Sequence, residues 1–101
     1  MTGEGLSAIV IHPKDDVAVA LRPLAPGSTA MGRRGEELVC VEVKEPVALG
    51  HKIALRAIEP GEPIRKYGEI IGVASRPISL GDHVHVQNVR SRRAQPPENG
   101  R

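Results

Sequence analysis

The sequence predicts an all-β fold: one small domain of short strands joined by tight turns. Three features carry that reading. Apolar residues come in short runs rich in Val and Ile, as strands do. No long window shows apolar residues recurring at the 3.6-residue helical period. Eleven glycines and nine prolines punctuate the 101 residues from end to end.

The expected strands follow in order. Ser7 to His12 is the first, closed by Pro13, and His12 reads as structural or as part of a contact surface. Val17-Ala18-Val19-Ala20-Leu21 is the second. The stretch Gly27 to Glu37, containing Gly32-Arg33-Arg34-Gly35, reads as an exposed loop or hairpin tip with both arginines solvated. Leu38 to Val43, Lys52 to Ala57 and Ile70 to Ala74 are further strands, and Val84 to Val89 completes the set. Cys40 lies inside an apolar run and reads as a small buried hydrophobe. It is the only cysteine, so no disulfide forms within the chain, which fits a reducing compartment.

Corners are expected where one pattern recurs four times: an apolar residue, two residues, a glycine, two residues, and an apolar or small residue. It runs from Leu24 to Ala30, Val47 to Ile53, Ile58 to Ile64 and Ile78 to Val84. The glycines supply a positive φ for a tight turn, and the flanking apolar residues pin the turn to the core. Their separations of 23, 11 and 20 residues are too irregular for a solenoid.

Phe and Trp are absent and Tyr67 is the only aromatic, so the core is aliphatic. The net charge of +2 is unevenly spread. Residues 90–101 carry four arginines against Glu98, whereas the rest carries ten Lys and Arg against eleven acidic residues. A basic tail without a basic body or stacking aromatics argues against nucleic-acid binding. No run approaches a membrane span, and the first residues lack a secretory pattern, so a cytoplasmic protein is expected. The organisation expected is a flexible 1–6, a domain over 7–90, and a disordered basic, Pro-rich tail over 91–101. No nucleophile elbow, phosphate-cradling glycine loop or paired CxxC is present, and Asp15-Asp16 and Glu36-Glu37 alternate faces if extended.

The chemistry concentrates in His83-Val84-His85-Val86-Gln87-Asn88. Read as a strand, this puts His83, His85 and Gln87 on one face, with Val84 and Val86 anchoring the other. The two imidazoles then stand roughly 6.5–7 Å apart at the backbone, a spacing that lets both reach one divalent metal or one anion. A catalytic metal normally takes about three protein ligands, so the remainder must come from elsewhere. The plain alternative is a polar strand face packed on a partner. His51 and Lys52 follow a turn glycine; His51 suits proton transfer and Lys52 suits a carboxylate, or both are merely exposed. Lys66 and Tyr67 precede Gly68 in an expected turn, and Tyr67 reads first as a cap over the core.

Four motifs in order resemble the altronate and galactarate dehydratase family: Ile11 to Leu21, Gly50 to Leu55, Ile64 to Gly72, and Gly81 to Asn88. The resemblance covers about residues 9–89. It implies a SAF-type β-clip that precedes a much larger catalytic domain, the two being separate polypeptides in members such as the sulfolactate sulfo-lyases. This chain stops just after that domain and so looks like a small subunit. The implied reaction is a lyase step on a hydroxylated sugar acid or sulfonated hydroxy acid, losing water or sulfite to leave an enol that becomes a 2-oxo acid. A divalent metal, usually iron, is implied, held with or by a large catalytic lyase subunit. His83 and His85 are then metal ligands, His51 catalytic, and Lys52, Lys66 and Tyr67 substrate contacts. The family often has a third histidine where Gln87 stands, and an amide oxygen is a poor replacement on a transition metal. The rival readings are a free-standing sugar-acid-binding SAF module and a purely structural assembly protein. Alone, the chain is not expected to perform chemistry; edge strands leave a homo-oligomer open.

Overall fold

A computed structural model describes residues 6–90. The expectations for 1–6 and 91–101 lie outside the described residues, Leu6 excepted. Nine strands follow in order: β1 Ala8–Ile9, β2 Val17–Ala20, β3 Thr29–Arg34, β4 Glu37–Glu42, β5 Lys52–Ala54, β6 Pro63–Lys66, β7 Glu69–Ala74, β8 His83–Val84 and β9 Val89–Arg90. The all-β expectation holds. No helix occurs among the described residues.

A central antiparallel sheet runs in the order β1-β2-β5-β8. Alternation sends its side chains to two cores, one on each face. Ala18, Ala20 and Ile53 join Leu24, Ala30, Val41 and Val47 in the first. Val17, Ala54 and Val84 join Ile58, Ile64, Ala74 and Ile78 in the second. Burial on both faces explains why β2 reads as an unbroken apolar run. Two outlying units complete the molecule, the hairpin β3-β4 and the sheet β6-β7-β9.

The four recurring patterns are four corners, and they pair. Leu24 exchanges backbone hydrogen bonds with Val47, and Ile58 with Ile78, at 2.8–3.0 Å. Each turn glycine then donates across its pair: Gly27 to the Val43 carbonyl, Gly50 to Ala20, Gly61 to Ala74 and Gly81 to Ala54. The chain thus builds the same device twice, once around β3-β4 and once around β6-β7. All four glycines have φ between +84° and +90°. An alanine Cβ at Gly27 would meet nothing within 4 Å, whereas at Gly81 it would overlap the Glu42 carbonyl oxygen. Gly27→Ala is therefore expected to cost about 1 kcal/mol, from backbone strain alone. Gly81→Ala should cost about 2–4 kcal/mol, because strain and overpacking add. Urea unfolding midpoints of the two variants test this; equal losses would show that the overlap is relieved cheaply.

Several sequence expectations are corrected. The expected strand from 83 to 88 stops after Val84, and residues 85–88 form a turn. Val86 consequently points outward and is 80% exposed, so only Val84 anchors to the core. Gln87 lies on that turn and does not share a strand face with the histidines. Within 27–37 the residues Thr29–Arg34 form a strand, and only Gly35 and Glu36 are the tip. Strand β6 was not expected at all. Cys40 is exposed: it pairs with Met31, while its neighbour Val41 pairs with Ala30 and faces the core. Tyr67 does not cap the core but stands 58% exposed.

Candidate functional site

In three of the four corners, the residue after the glycine closes its own turn with its side chain. Ser28 Oγ donates to the Ala25 carbonyl at 2.6 Å, Glu62 Oε1 accepts from Glu59 N at 2.8 Å, and Asp82 Oδ2 accepts from Ser79 N at 2.7 Å. His51 holds the fourth position, and its ring turns elsewhere. Its Nδ1 lies 2.9 Å from Nε2 of His83.

The β5-β8 pairing explains the meeting. Ile53 opposes His83 and Lys52 opposes Val84, so one further step along the register sets His51 against His85. The three rings stack. His51 and His85 centroids are 4.0 Å apart with planes 16° from parallel; His51–His83 and His83–His85 are at 5.1 and 5.4 Å. One ring nitrogen from each histidine lies within 4.8 Å of the others. Nδ1 of His85 is shut from solvent and has no hydrogen-bond partner.

Surrounding groups fix this arrangement. Buried Asn88 accepts from His85 N at 3.0 Å through Oδ1 and donates to the His83 carbonyl at 2.8 Å through Nδ2. Glu45 Oε2 accepts from His83 N at 3.0 Å. Gln87 Nε2 lies 3.1 Å from Nδ1 of His83. Sequence reasoning missed Glu45 altogether and gave Asn88 no role. An asparagine just beyond a short strand is a turn signal, and it was available.

Burial lowers the pKa of His83, and the nearby His51, His85 and Lys52 lower it further against the opposing pull of Glu45. His85 is lowered by desolvation and by His51 and Lys52. Both shifts favour the uncharged imidazole, the form that can ligate a metal. Because these folded values lie below the ordinary 6.5, the folded chain binds fewer protons than the unfolded chain in mild acid. This stability is fully present above about pH 6.5 and is lost as the pH falls through the folded values. The metal-free urea midpoint is expected to drop between pH 7.5 and 5.5, and to drop less in the double variant His83→Gln, His85→Gln. A midpoint flat across that range would rule this out.

Lys52 lines a cleft of about 270 Å³ with Ile71, His85, Val86 and Val89. Its pKa is lowered by burial and by the charge of Lys66. The two cations are therefore near enough to repel. Lys66 Nζ sits 4.4 Å from the Tyr67 ring centroid. Tyr67 and Gly68 form the tip of the β6-β7 hairpin with φ of 59° and 75°, as a two-residue type I′ turn requires. Asp15, 3% exposed, fastens that tip. Its carboxylate accepts from Tyr67 N at 3.0 Å, Gly68 N at 2.8 Å and its own neighbour His12 N at 3.1 Å. Asp16 beside it accepts from Arg65 N and Arg56 Nε, both at 2.8 Å. The adjacent carboxylates thus pin one hairpin. His12 lies apart from the other histidines, under Gly68. The structure brings His51, Lys52, His83 and His85 together, with Lys66 near Lys52 and Tyr67 on the adjoining tip.

The sequence model of the altronate/galactarate dehydratase SAF domain matches residues 6–92. The chain belongs to this family. Its SAF domain is 43% identical to an altronate dehydratase of Bacillus subtilis (strain 168) over 89 residues, which are 84% of this chain and 16% of that protein. The altronate dehydratase of Escherichia coli (strain K12) is 42% identical over 83 residues, again 16% of its length. The (2R)-sulfolactate sulfo-lyase subunit alpha of Chromohalobacter salexigens is 33% identical over 88 residues, 83% of this chain and 94% of that subunit. This SAF domain therefore spans 16% of the altronate dehydratases it matches and nearly all of the sulfo-lyase subunit. No helix among the described residues is long and apolar enough to cross a membrane.

Proposed function

We propose that this SAF domain is the small subunit of a heteromeric, divalent-metal-dependent lyase, and that it forms one wall of the active site. The observation that carries the reading is the convergence of three imidazoles at the facing ends of two paired strands, each offering a nitrogen within 4.8 Å of the others. Three imidazoles are a donor set suited to iron or zinc, and the partnerless Nδ1 of His85 fits a site built for another group. We assign His51, His83 and His85 as the ligands. His51 moves from proton transfer to ligation because its Nδ1 already faces His83. When bound, the ion would supply Lewis-acid polarisation of substrate oxygens.

The remaining residues are suited to holding the substrate. Lys52 and Lys66 offer two close positive charges to an anionic substrate, a hydroxylated sugar acid or sulfonated hydroxy acid. The Tyr67 hydroxyl adds a donor at the hairpin tip. The partner is a large lyase chain carrying the rest of the pocket. Support comes from the relatives, in which the matched region is either a small part of a longer dehydratase or a subunit of its own. Val86 and Leu49, 80% and 63% exposed, lie within two residues of the histidines and suit a covered face. The match to nearly a whole sulfo-lyase subunit favours the sulfite-losing branch as the second reading. The free Cys40 suits a reducing cytoplasm.

Two measurements test this function. The chelator-treated chain should take up one Co(II) or Zn(II) per molecule by calorimetry. Mixed with a large lyase chain of the family, it should give 2-oxo acid formation that neither component gives alone. A large chain fully active by itself would overturn the subunit role.

A further inference from the structure

Gln87, two residues beyond His85, sits on an exposed turn beside His83. Its Nε2 lies 3.1 Å from Nδ1 and 3.4 Å from the carbonyl of that same histidine. On the other side of the ring, Nε2 of His83 lies 2.9 Å from Nδ1 of His51. The ring is held at both nitrogens. We propose that Gln87 is a positioning residue that selects which nitrogen of His83 is free to bind the metal, an inference that rests on the metal reading above.

The argument is one of donors and acceptors. An amide N–H at Nδ1 makes that nitrogen the acceptor, so the ring proton resides on Nε2 and is donated to His51. In that state the His83 and His51 nitrogens that face each other are both engaged. A half-turn of the Gln87 amide exchanges nitrogen for oxygen with almost no change of shape. The oxygen then accepts from Nδ1–H, and the lone pairs of His83 Nε2 and His51 Nδ1 are both released. Ligating histidines commonly donate their second N–H to such an acceptor, which fixes the tautomer and raises ligand basicity. Gln87 thereby supports a ligand and does not replace one. Asn88 and Glu45 hold the His83 backbone, so neither is placed to do the same for its ring.

Nitrogen-15 NMR of the imidazoles in the full chain reads the tautomer directly. His83 should be protonated at Nε2 without metal and at Nδ1 with Zn(II) bound. Gln87→Met keeps the length of the side chain and removes its hydrogen bonds; Co(II) affinity should fall about 10- to 100-fold. Gln87→Glu, which only accepts, should bind at least as tightly as the native chain and favour Nδ1–H before metal is added. Native affinity and an unchanged His83 tautomer in both variants would overturn the role of Gln87 while leaving the metal reading intact. A native chain that takes up neither Co(II) nor Zn(II) would instead overturn the metal reading and this inference with it.

Discussion

Asp15→Ala is expected to lower the unfolding free energy by about 3–5 kcal/mol. The carboxylate is buried and accepts three backbone N–H groups, those of His12, Tyr67 and Gly68. Each buried donor left without a partner costs about 1–3 kcal/mol, and bonds to a charged acceptor are among the stronger ones. Tyr67 adds to the loss, because a non-glycine residue at φ 59° is strained and relies on its surroundings. A domain of this size has only about 5–15 kcal/mol in total. Urea unfolding at pH 7.5 should show a much lower midpoint, and Asp15→Asn should recover part of it by keeping one oxygen. A change below about 0.5 kcal/mol for the alanine variant would mean that the hairpin tip holds itself.

His51→Ala should weaken Co(II) binding by more than about 100-fold while leaving the fold in place. Loss of an outer partner of a metal ligand typically costs 10- to 100-fold, and loss of a ligand itself removes more. The residue is only half-buried and its backbone, not its side chain, closes the corner, through His51 N to the Ala48 carbonyl at 2.9 Å. Stability should therefore change by no more than about 1 kcal/mol. His12→Ala, which removes the imidazole beneath Gly68, is the matched control and should bind Co(II) as the native chain does. Equal affinity in the His51 and His12 variants would remove His51 from the site.

Much of the fold was legible because the backbone, more than the side chains, demanded particular residues. Four corners need a positive φ, and four glycines with apolar flanks announced them. Strands β3 and β6 were not legible. Thr29–Arg34 and Pro63–Lys66 are rich in polar and charged residues, and pairing with β4 and β7 makes strands of them. Cys40 lies in an apolar run that reads as buried throughout, but β4 buries only one of its faces and Cys40 is on the other.

The site divides along the same line. The closeness of His83 and His85 is legible from strand alternation, although only the first of them is in a strand. The third member, His51, was noticed but given a different role, because nothing local announces a contact across 32 residues. That contact follows from the pairing of β5 with β8, which is a property of the assembled sheet. Val86 misled for the opposite reason. Alternation assigned it to the core, but Asn88 curls the chain into a turn before the pattern can repeat.

The doubled corner separates what must be kept for folding from what is free to vary. Backbone hydrogen bonds and a handful of aliphatic anchors define each bend, and the position just past its glycine accepts serine, glutamate, aspartate or histidine without altering the path of the chain. Such a scaffold offers four equivalent seats, and the one that holds His51 keeps the same backbone path as the other three.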